Sequence, residues 1–184
     1  MPQSDEALFY QLYFQTPGVA EAEFESDPRR TIRSLLYSAS GGVPRSANSG
    51  GEAGMVPRQG GFLTRMVDPV SLPSWLTDAD VDFYAGEFTR TGFAGGLNWY
   101  RNIDRNWELL APFSGSVVTV PALYVAGDRD LVVAFRGMQQ LIANLAHFVP
   151  QLRGSIILPG CGHWTQQERV REVNEAMIGF LRQL

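Results

Sequence analysis

Val117-Val118-Thr119-Val120-Pro121-Ala122-Leu123-Tyr124-Val125 is a nearly continuous apolar run rich in β-branched residues, closed by Ala126-Gly127-Asp128. A run without polar alternation predicts a strand buried on both faces, as in a parallel sheet. A helical pattern at about 134–147 follows, then a second apolar run, Ser155-Ile156-Ile157-Leu158. Residues 168–183 carry Val170, Val173, Met177, Ile178 and Leu181 and predict a closing amphipathic helix. Strand, helix, strand, helix implies a parallel pair with a right-handed crossover. Two parallel strands leave open edges and cannot cover both of their faces alone. At about 30 residues per βαβ unit, the strands such a sheet still needs amount to roughly 100–150 residues. The expectation is therefore that the natural fold continues upstream of Met1.

Residues 1–112 have a different character and read as helices and loops. Asp27-Pro28 is a helix start, with Asp as N-cap and Pro at the first helical position. That helix runs through Ile32, Leu35 and Leu36 and stops near Gly41-Gly42. Residues 41–62 are dense in glycine, hold Pro44 and Pro57, and read as a flexible connection. Thr77-Asp78-Ala79-Asp80 has the form of a capping box and opens a helix through Phe83, Tyr84 and Phe88, which Gly92 ends. Gly95-Gly96 opens the next helix, carrying Leu97, Tyr100, Ile103 and Trp107. Aromatic residues are dense throughout this part of the chain.

Composition narrows the function classes. The 184 residues are 45% hydrophobic, as in an ordinary globular protein. A net charge of −4 and a pI near 5.2 leave no basic stripe to neutralise phosphates, so nucleic acid is not an expected partner. Arg29, Arg30 and Arg33 form the densest basic group and read as a solvated helix face. A single cysteine excludes an internal disulfide and fits a reducing cytoplasm. The N-terminal residues lack the form of a signal peptide, and no apolar run approaches the ~18 residues of a membrane span.

The chemistry-bearing residues lie where the strands end. Asp130 closes the turn Gly127-Asp128-Arg129-Asp130, and His163 stands in the loop Gly160-Cys161-Gly162-His163-Trp164. In open α/β sheets, function gathers beyond the carboxyl ends of the strands. A carboxylate at one strand end and a histidine at the next, in that order, is the rear half of an α/β-hydrolase triad. Asp128 competes with Asp130 for the acid role. His147 reads as an ordinary residue late on the crossover helix. Cys161 reads as a small residue in a tight loop; with His163 it offers two metal ligands where zinc needs three or four, so no metal is expected. Tyr10 and Tyr100 stand in aromatic-rich helices, where such residues ordinarily serve as core. No Gly-x-Ser-x-Gly or equivalent nucleophile elbow occurs in the 184 residues.

Several stretches together resemble the C-terminal portion of soluble epoxide hydrolases of the α/β-hydrolase superfamily. They are Phe9-Tyr10-Gln11-Leu12-Tyr13-Phe14-Gln15 with Pro17-Gly18-Val19-Ala20-Glu21; Gly95-Gly96-Leu97-Asn98-Trp99-Tyr100-Arg101-Asn102 with Asn106-Trp107; Pro121-Ala122-Leu123 leading to Asp130; and Gly162-His163-Trp164-Thr165-Gln166. The Leu-Asn-Trp-Tyr-Arg-Asn segment paired with Gly-His-Trp is the specific element; dehalogenases and serine esterases of the fold lack that pairing. Thr16 departs from the family, which usually has glutamate there.

The resemblance implies a partial α/β-hydrolase fold of the α/β class. Residues 1–112 would be a helical cap, and residues 113–184 the β-α-β-α end of the parallel sheet. It implies that Tyr10 and Tyr100 bind and protonate an epoxide oxygen, that Asp130 is the triad acid and His163 the water-activating base, and that Trp99 and Trp164 contact substrate. Phenols, with unperturbed pKa about 10, stay protonated at neutral pH and donate without adding charge to an apolar pocket. The family's nucleophile is an aspartate on a sharp strand–helix turn and its oxyanion hole a His-Gly-x-Pro loop; neither motif is present. The expected activity is hydrolysis of an epoxide to a vicinal diol through an aspartyl ester, by a chain truncated at its N-terminus and inactive alone. The alternatives are another α/β-hydrolase such as a haloalkane dehalogenase, and a catalytically inactive remnant or interaction fragment. No cofactor is implied. The expected partner is a small-molecule epoxide, with no nucleic acid, no membrane, and self-association left open.

Overall fold

The computed structural model describes residues 1–44 and 54–184. The chain divides into two compact units. One comprises Met1–Ser38 and the described part of Ser49–Pro112; the other comprises the described part of Ala39–Asn48 and Phe113–Leu184.

The first unit is helical around an aromatic core. Its elements are β1 (Ala7–Phe9), α1 (Tyr10–Tyr13), α2 (Val19–Glu25), α3 (Pro28–Ser38), β2 (Met55–Pro57), α4 (Asp78–Thr91), α5 (Ala94–Arg101) and α6 (Ile103–Leu110). Helix α3 starts as its sequence dictates: the Asp27 carboxylate accepts the Arg30 N–H at 3.0 Å and Pro28 takes the first helical position. Helix α4 opens with a complete capping box. The Thr77 hydroxyl accepts the Asp80 N–H at 3.2 Å, and the Asp80 carboxylate accepts the Thr77 N–H at 2.9 Å. Gly92, at φ 70°, terminates it. Phe14, Phe24, Ile32, Val81, Phe93 and Leu97 form the buried centre, with Tyr10, Tyr13, Phe88 and Tyr100 packed against it. Edge-to-face contacts recur, such as Phe24 against Phe93 at 5.4 Å between ring centroids. Each such pair adds about 0.5–1.5 kcal/mol beyond its buried area.

Three expectations for this unit change. The reading as helices and loops misses a small antiparallel ladder: Ala7, Leu8 and Phe9 pair with Pro57, Val56 and Met55. Half of that ladder comes from the glycine-dense stretch, because three apolar residues between glycines carry no detectable period. Within the stretch, residues 45–53 lie outside the described residues. The helix expected from Gly95 through Trp107 is two helices, α5 and α6, broken at Asn102. The arginine group is not merely a solvated face. Arg29 pairs with Asp78 at 2.8 Å and Asp82 at 2.6 Å, and Arg33 with Asp68 at 3.5 Å, tying α3 to the start of α4 and to the segment before it.

The second unit holds β3 (Ala122–Gly127), α7 (Met138–Ala143), α8 (Leu145–Phe148), β4 (Leu152–Leu158), α9 (Thr165–Glu168) and α10 (Val170–Leu181). Strands β3 and β4 are parallel, in a register that sets Leu123 opposite Gly154 and Gly127 opposite Leu158. The strand begins later than the apolar run. Val117, Val118 and Val120 precede it, and all three are exposed. Pro121 has no N–H to give to a ladder, which places it at the strand's entry rather than inside it. The crossover helix is shorter than expected and is two pieces broken at Asn144; the closing helix is α10, close to the expected bounds, with the separate single turn α9 before it.

The expected burial on both faces is not met. Leu123, Tyr124 and Val125 are only half-buried, because among the described residues β3 has a hydrogen-bonded neighbour, β4, on one edge only. The buried centre is small: Leu158, Cys161 and Val173, with Val125 and Ile156 against it. Between β3 and α10 lies an open cleft of about 350 Å³ lined by Leu123, Val125, Val173, Met177, Phe180 and Leu181. Among the described residues no helix is long and apolar enough to cross a membrane.

Candidate active site

The parallel pairing of β3 and β4 delivers two loops side by side. The turn after β3 and the loop after β4 are bonded through their backbones: the Arg129 N–H donates to Cys161 O at 2.9 Å and the Asp128 N–H to Leu158 O at 3.1 Å. The approach is so close that a Cβ on Gly127 would lie 2.1 Å from Cys161 O, so glycine is required there. This sets the competition between the two aspartates. The Asp128 carboxylate accepts the Gly160 N–H at 2.7 Å and serves the loop. The Asp130 carboxylate reaches His163, with Oδ1 3.1 Å from Nδ1, and also accepts the Val132 N–H at 2.9 Å.

The electrostatics agree with that geometry. The hydrogen bond from Asp130 is the largest influence on His163 and raises its pKa above the ordinary histidine value; burial opposes this, and the charges of Asp130 and Glu168 reinforce it. For Asp130, burial is the largest single influence and pushes upward. The His163 hydrogen bond, the Val132 N–H and the His163 charge together outweigh it, so the carboxyl lies below its ordinary value. An imidazole whose Nδ1–H donates a hydrogen bond to a carboxylate presents Nε2 as the base. The Trp164 ring stands edge-on to His163 at 5.0 Å.

Tyr10 and Tyr100 are brought together in the first unit. Tyr10 opens α1 and Tyr100 lies in the last turn of α5, with ring centroids 5.6 Å apart and planes at 78°. Gln11 Nε2 donates to the Tyr10 hydroxyl at 3.2 Å. Burial, and secondarily the neighbouring Tyr10, raises the pKa of Tyr100, so this phenol keeps its proton well beyond neutral pH. The pair is held from behind. Arg101 donates to Phe14 O at 2.9 Å and pairs with Glu21 at 2.7 Å, and Gln15 Nε2 donates to Tyr100 O at 3.0 Å. Trp99, next to Tyr100 in sequence, is 79% exposed and does not join the two rings.

Cys161 is fully buried, and burial first, then the Glu168 charge, pushes its thiol up to about 11. A thiol held neutral at physiological pH suits packing, not nucleophilic attack. Among the described residues no group of His, Cys, Asp and Glu could hold a metal ion. His147 lies in the last turn of α8, against Phe148.

The sequence assigns no role to Glu21, Arg101 or Glu168; the Glu21–Arg101 pair and the Glu168–Gly41 bond join residues remote in the chain. The segment Ala39–Gly42 is also missed. It reads as the end of a helix, yet Ala39 O accepts the His163 N–H at 2.9 Å and Gly41 O accepts from Arg129 at 2.7 Å. The pair Gly41-Gly42 is the only sequence signal for a close backbone approach there.

A parallel strand pair whose carboxyl ends present a coupled acid and histidine defines the class of α/β-hydrolase-like proteins. The relatives make this specific. Epoxide hydrolase A of Mycobacterium tuberculosis is 43% identical over 177 residues, which are 96% of this chain and 52% of that protein. The crystal structure of epoxide hydrolase A from Mycobacterium thermoresistibile matches with a TM-score of 0.83 at 45% identity, covering 97% of this chain and 53% of that one. An epoxide hydrolase from an endophytic Streptomyces matches with a TM-score of 0.90 at 39% identity, covering 97% and 53%. No family model matches the chain. Along nearly its whole length the chain is similar to the C-terminal half of epoxide hydrolases of the α/β-hydrolase fold, and it spans about half the length of these relatives.

Proposed function

We propose that this chain carries the oxygen-protonating and ester-hydrolysing halves of an epoxide hydrolase, for a small-molecule epoxide. Residues 1–112, apart from the described part of Ala39–Asn48 that groups with the second unit, are the cap, residues 113–184 are the end of the hydrolase core, and the single cysteine favours the cytoplasm. The carrying observation is the 3.1 Å contact between Asp130 and His163 at the ends of two parallel strands. A carboxylate nucleophile from outside the 184 residues attacks an epoxide carbon and forms an ester. The C–O bond breaks, and the oxygen takes a proton from Tyr10 or Tyr100. His163 Nε2 then takes a proton from water, whose oxygen attacks the ester carbonyl; the acyl–oxygen bond breaks, the vicinal diol and the carboxylate are released, and the proton on the imidazolium returns through solvent to the tyrosine phenolate. Asp130 holds the imidazole in the required tautomer and stabilises it once protonated. Trp164, beside His163, and Trp99, beside Tyr100 in sequence, contact the substrate.

The experiment supplies the nucleophile-bearing N-terminal half of a relative alongside this chain. His163→Gln should form the ester without releasing it, visible as a mass increase equal to the substrate. Tyr10→Phe and Tyr100→Phe should each slow ring opening by about 10²-fold, the scale of losing one donor to a developing oxyanion. Normal turnover by His163→Gln, or full activity in both phenylalanine variants, would refute the assignment.

A further inference from the structure

His163 lies in a loop whose shape is held from one point. The loop Gly160–His163 runs backbone against backbone along Ala39–Gly42. A Cβ on Gly162 would fall 2.3 Å from Gly41 N, and one on Gly41 would fall 2.2 Å from Gly160 O. Segments this close leave room for no side chain between them, so an acceptor for their N–H groups must come from the flank. That acceptor is the half-buried Glu168, at the end of the one-turn helix α9. Its Oε2 accepts the Gly41 N–H at 2.8 Å and the Gly162 N–H at 2.9 Å; its Oε1 accepts the Trp164 N–H at 3.2 Å. One carboxylate thus binds the residues on both sides of His163 and the segment against which the loop packs. The His163 N–H itself goes to Ala39 O. That bond therefore depends on the join between 39–42 and 160–164.

We propose that Glu168 is a positioning residue for His163: its carboxylate locks the Gly162–Trp164 backbone to Ala39–Gly42 and so aims the imidazole at Asp130. The inference rests on the reading of His163 as the base, but its structural content can be tested without turnover. Hydrogen bonds to a charged acceptor are among the stronger ones in proteins, and a buried N–H left without its acceptor bears the full cost of desolvation. No water or neutral side chain substitutes easily for one group that accepts three N–H groups at fixed spacing.

The test is made on the full 184-residue chain, with His163 followed by NMR of its ring carbon. The chain has two histidines, so the His163 signal is assigned by its loss in His163→Gln. The groups acting on His163 are Asp130 and Glu168. In Glu168→Gln an amide nitrogen must replace one carboxylate oxygen, so either Gly41 and Gly162 or Trp164 loses its acceptor. Exchange of at least one of these three amides should accelerate about tenfold or more. In the parent chain Asp130→Asn should lower the His163 titration midpoint. In a Glu168→Ala background the midpoint should already be lower, and adding Asp130→Asn should change it little, because the imidazole is no longer held against the carboxylate. Unchanged exchange at all three amides in Glu168→Gln overturns the proposal, whether or not Glu168→Ala folds. An undiminished effect of Asp130→Asn in the Glu168→Ala background overturns it equally. Neither outcome bears on whether His163 is the base, which the trapped ester decides.

Discussion

The two units of this chain solve the problem of burial differently. The first packs aromatic rings from α1, α2, α5 and the segments between them into one centre, and Ala20 and Val81 are wholly excluded from solvent. The second has a two-stranded sheet, a small buried centre and apolar side chains facing outward: Val118, Val120, Ile157, Met177 and Leu181 are each more than 40% exposed. Helices can bury one stripe against one another and be complete, whereas a strand needs neighbours on two edges and cover on two faces. The unit with the larger buried centre, which still exposes Phe83, Trp99 and Trp107, holds the tyrosine pair; the unit with the open sheet holds the acid and the histidine.

The largest effect expected from this contrast is catalytic. Each unit brings its own pair of polar groups together, but neither holds a nucleophile elbow. A polypeptide of these 184 residues incubated with a styrene-type epoxide should give diol no faster than buffer. The loss of a nucleophile in hydrolases costs on the order of 10⁶ in rate. A saturable rate abolished by His163→Ala would break the comparison at its base.

The next effect is on stability. Phe24→Ala, in the middle of the aromatic cluster, should destabilise the first unit by about 3–5 kcal/mol. Val173→Ala, in the thin centre of the second unit, removes less apolar contact and should cost about 1.5 kcal/mol. Denaturant melts followed by probes in each unit would measure both. Equal losses would mean that the second centre is better packed than its few members suggest.

A smaller effect concerns association. An exposed apolar patch of this kind drives self-association. Sedimentation velocity should show concentration-dependent oligomers, and Ile157→Lys with Leu181→Glu should shift the distribution toward monomer without lowering the melting temperature. A monomeric parent chain would show that the open cleft is tolerated by itself.

The pH response is the finest probe. The His163 pKa is raised above 6.5 and the Asp130 pKa lowered below 3.8. A raised histidine stabilises the folded state fully below its unfolded value, and that contribution is lost as pH rises through the folded value. A lowered carboxyl stabilises above its unfolded value, and that contribution is lost as pH falls through the folded one. The pair therefore favours the fold most between the ordinary carboxyl and histidine values, and the gain should fade on either side. In the proposed mechanism hydrolysis needs neutral imidazole, so the rate with the nucleophile-bearing half supplied should rise with pH through the raised His163 value. Asp130→Asn should move that limb to lower pH while reducing its height.

Much of this was legible in the chain because it is local. Asp27-Pro28, the Thr77–Asp80 box and Gly92 mark helix ends through bonds spanning three or four residues. The strand pair follows from apolar runs of the right length, and parallel pairing places the turn after β3 beside the loop after β4. The β1–β2 ladder was hidden because its partners are remote and too short for a period. The extent of β3 was overestimated because hydrophobicity marks what seeks burial, not what obtains it.

The order of residues carries the inventory: helices first, a parallel strand pair last, an acid before a histidine, two tyrosines in aromatic surroundings. Which of these groups meet is set by the fold. Asp128 and Asp130 are two residues apart and chemically identical, and only the register of β3 on β4 sends one to Gly160 and the other to His163. Ala39–Gly42 follows a helix of the first unit yet belongs to the second, where Glu168 receives it. Local bonds are written in neighbouring residues and can be read there. Contacts across more than a hundred residues depend on where whole elements come to rest, and no short pattern encodes that.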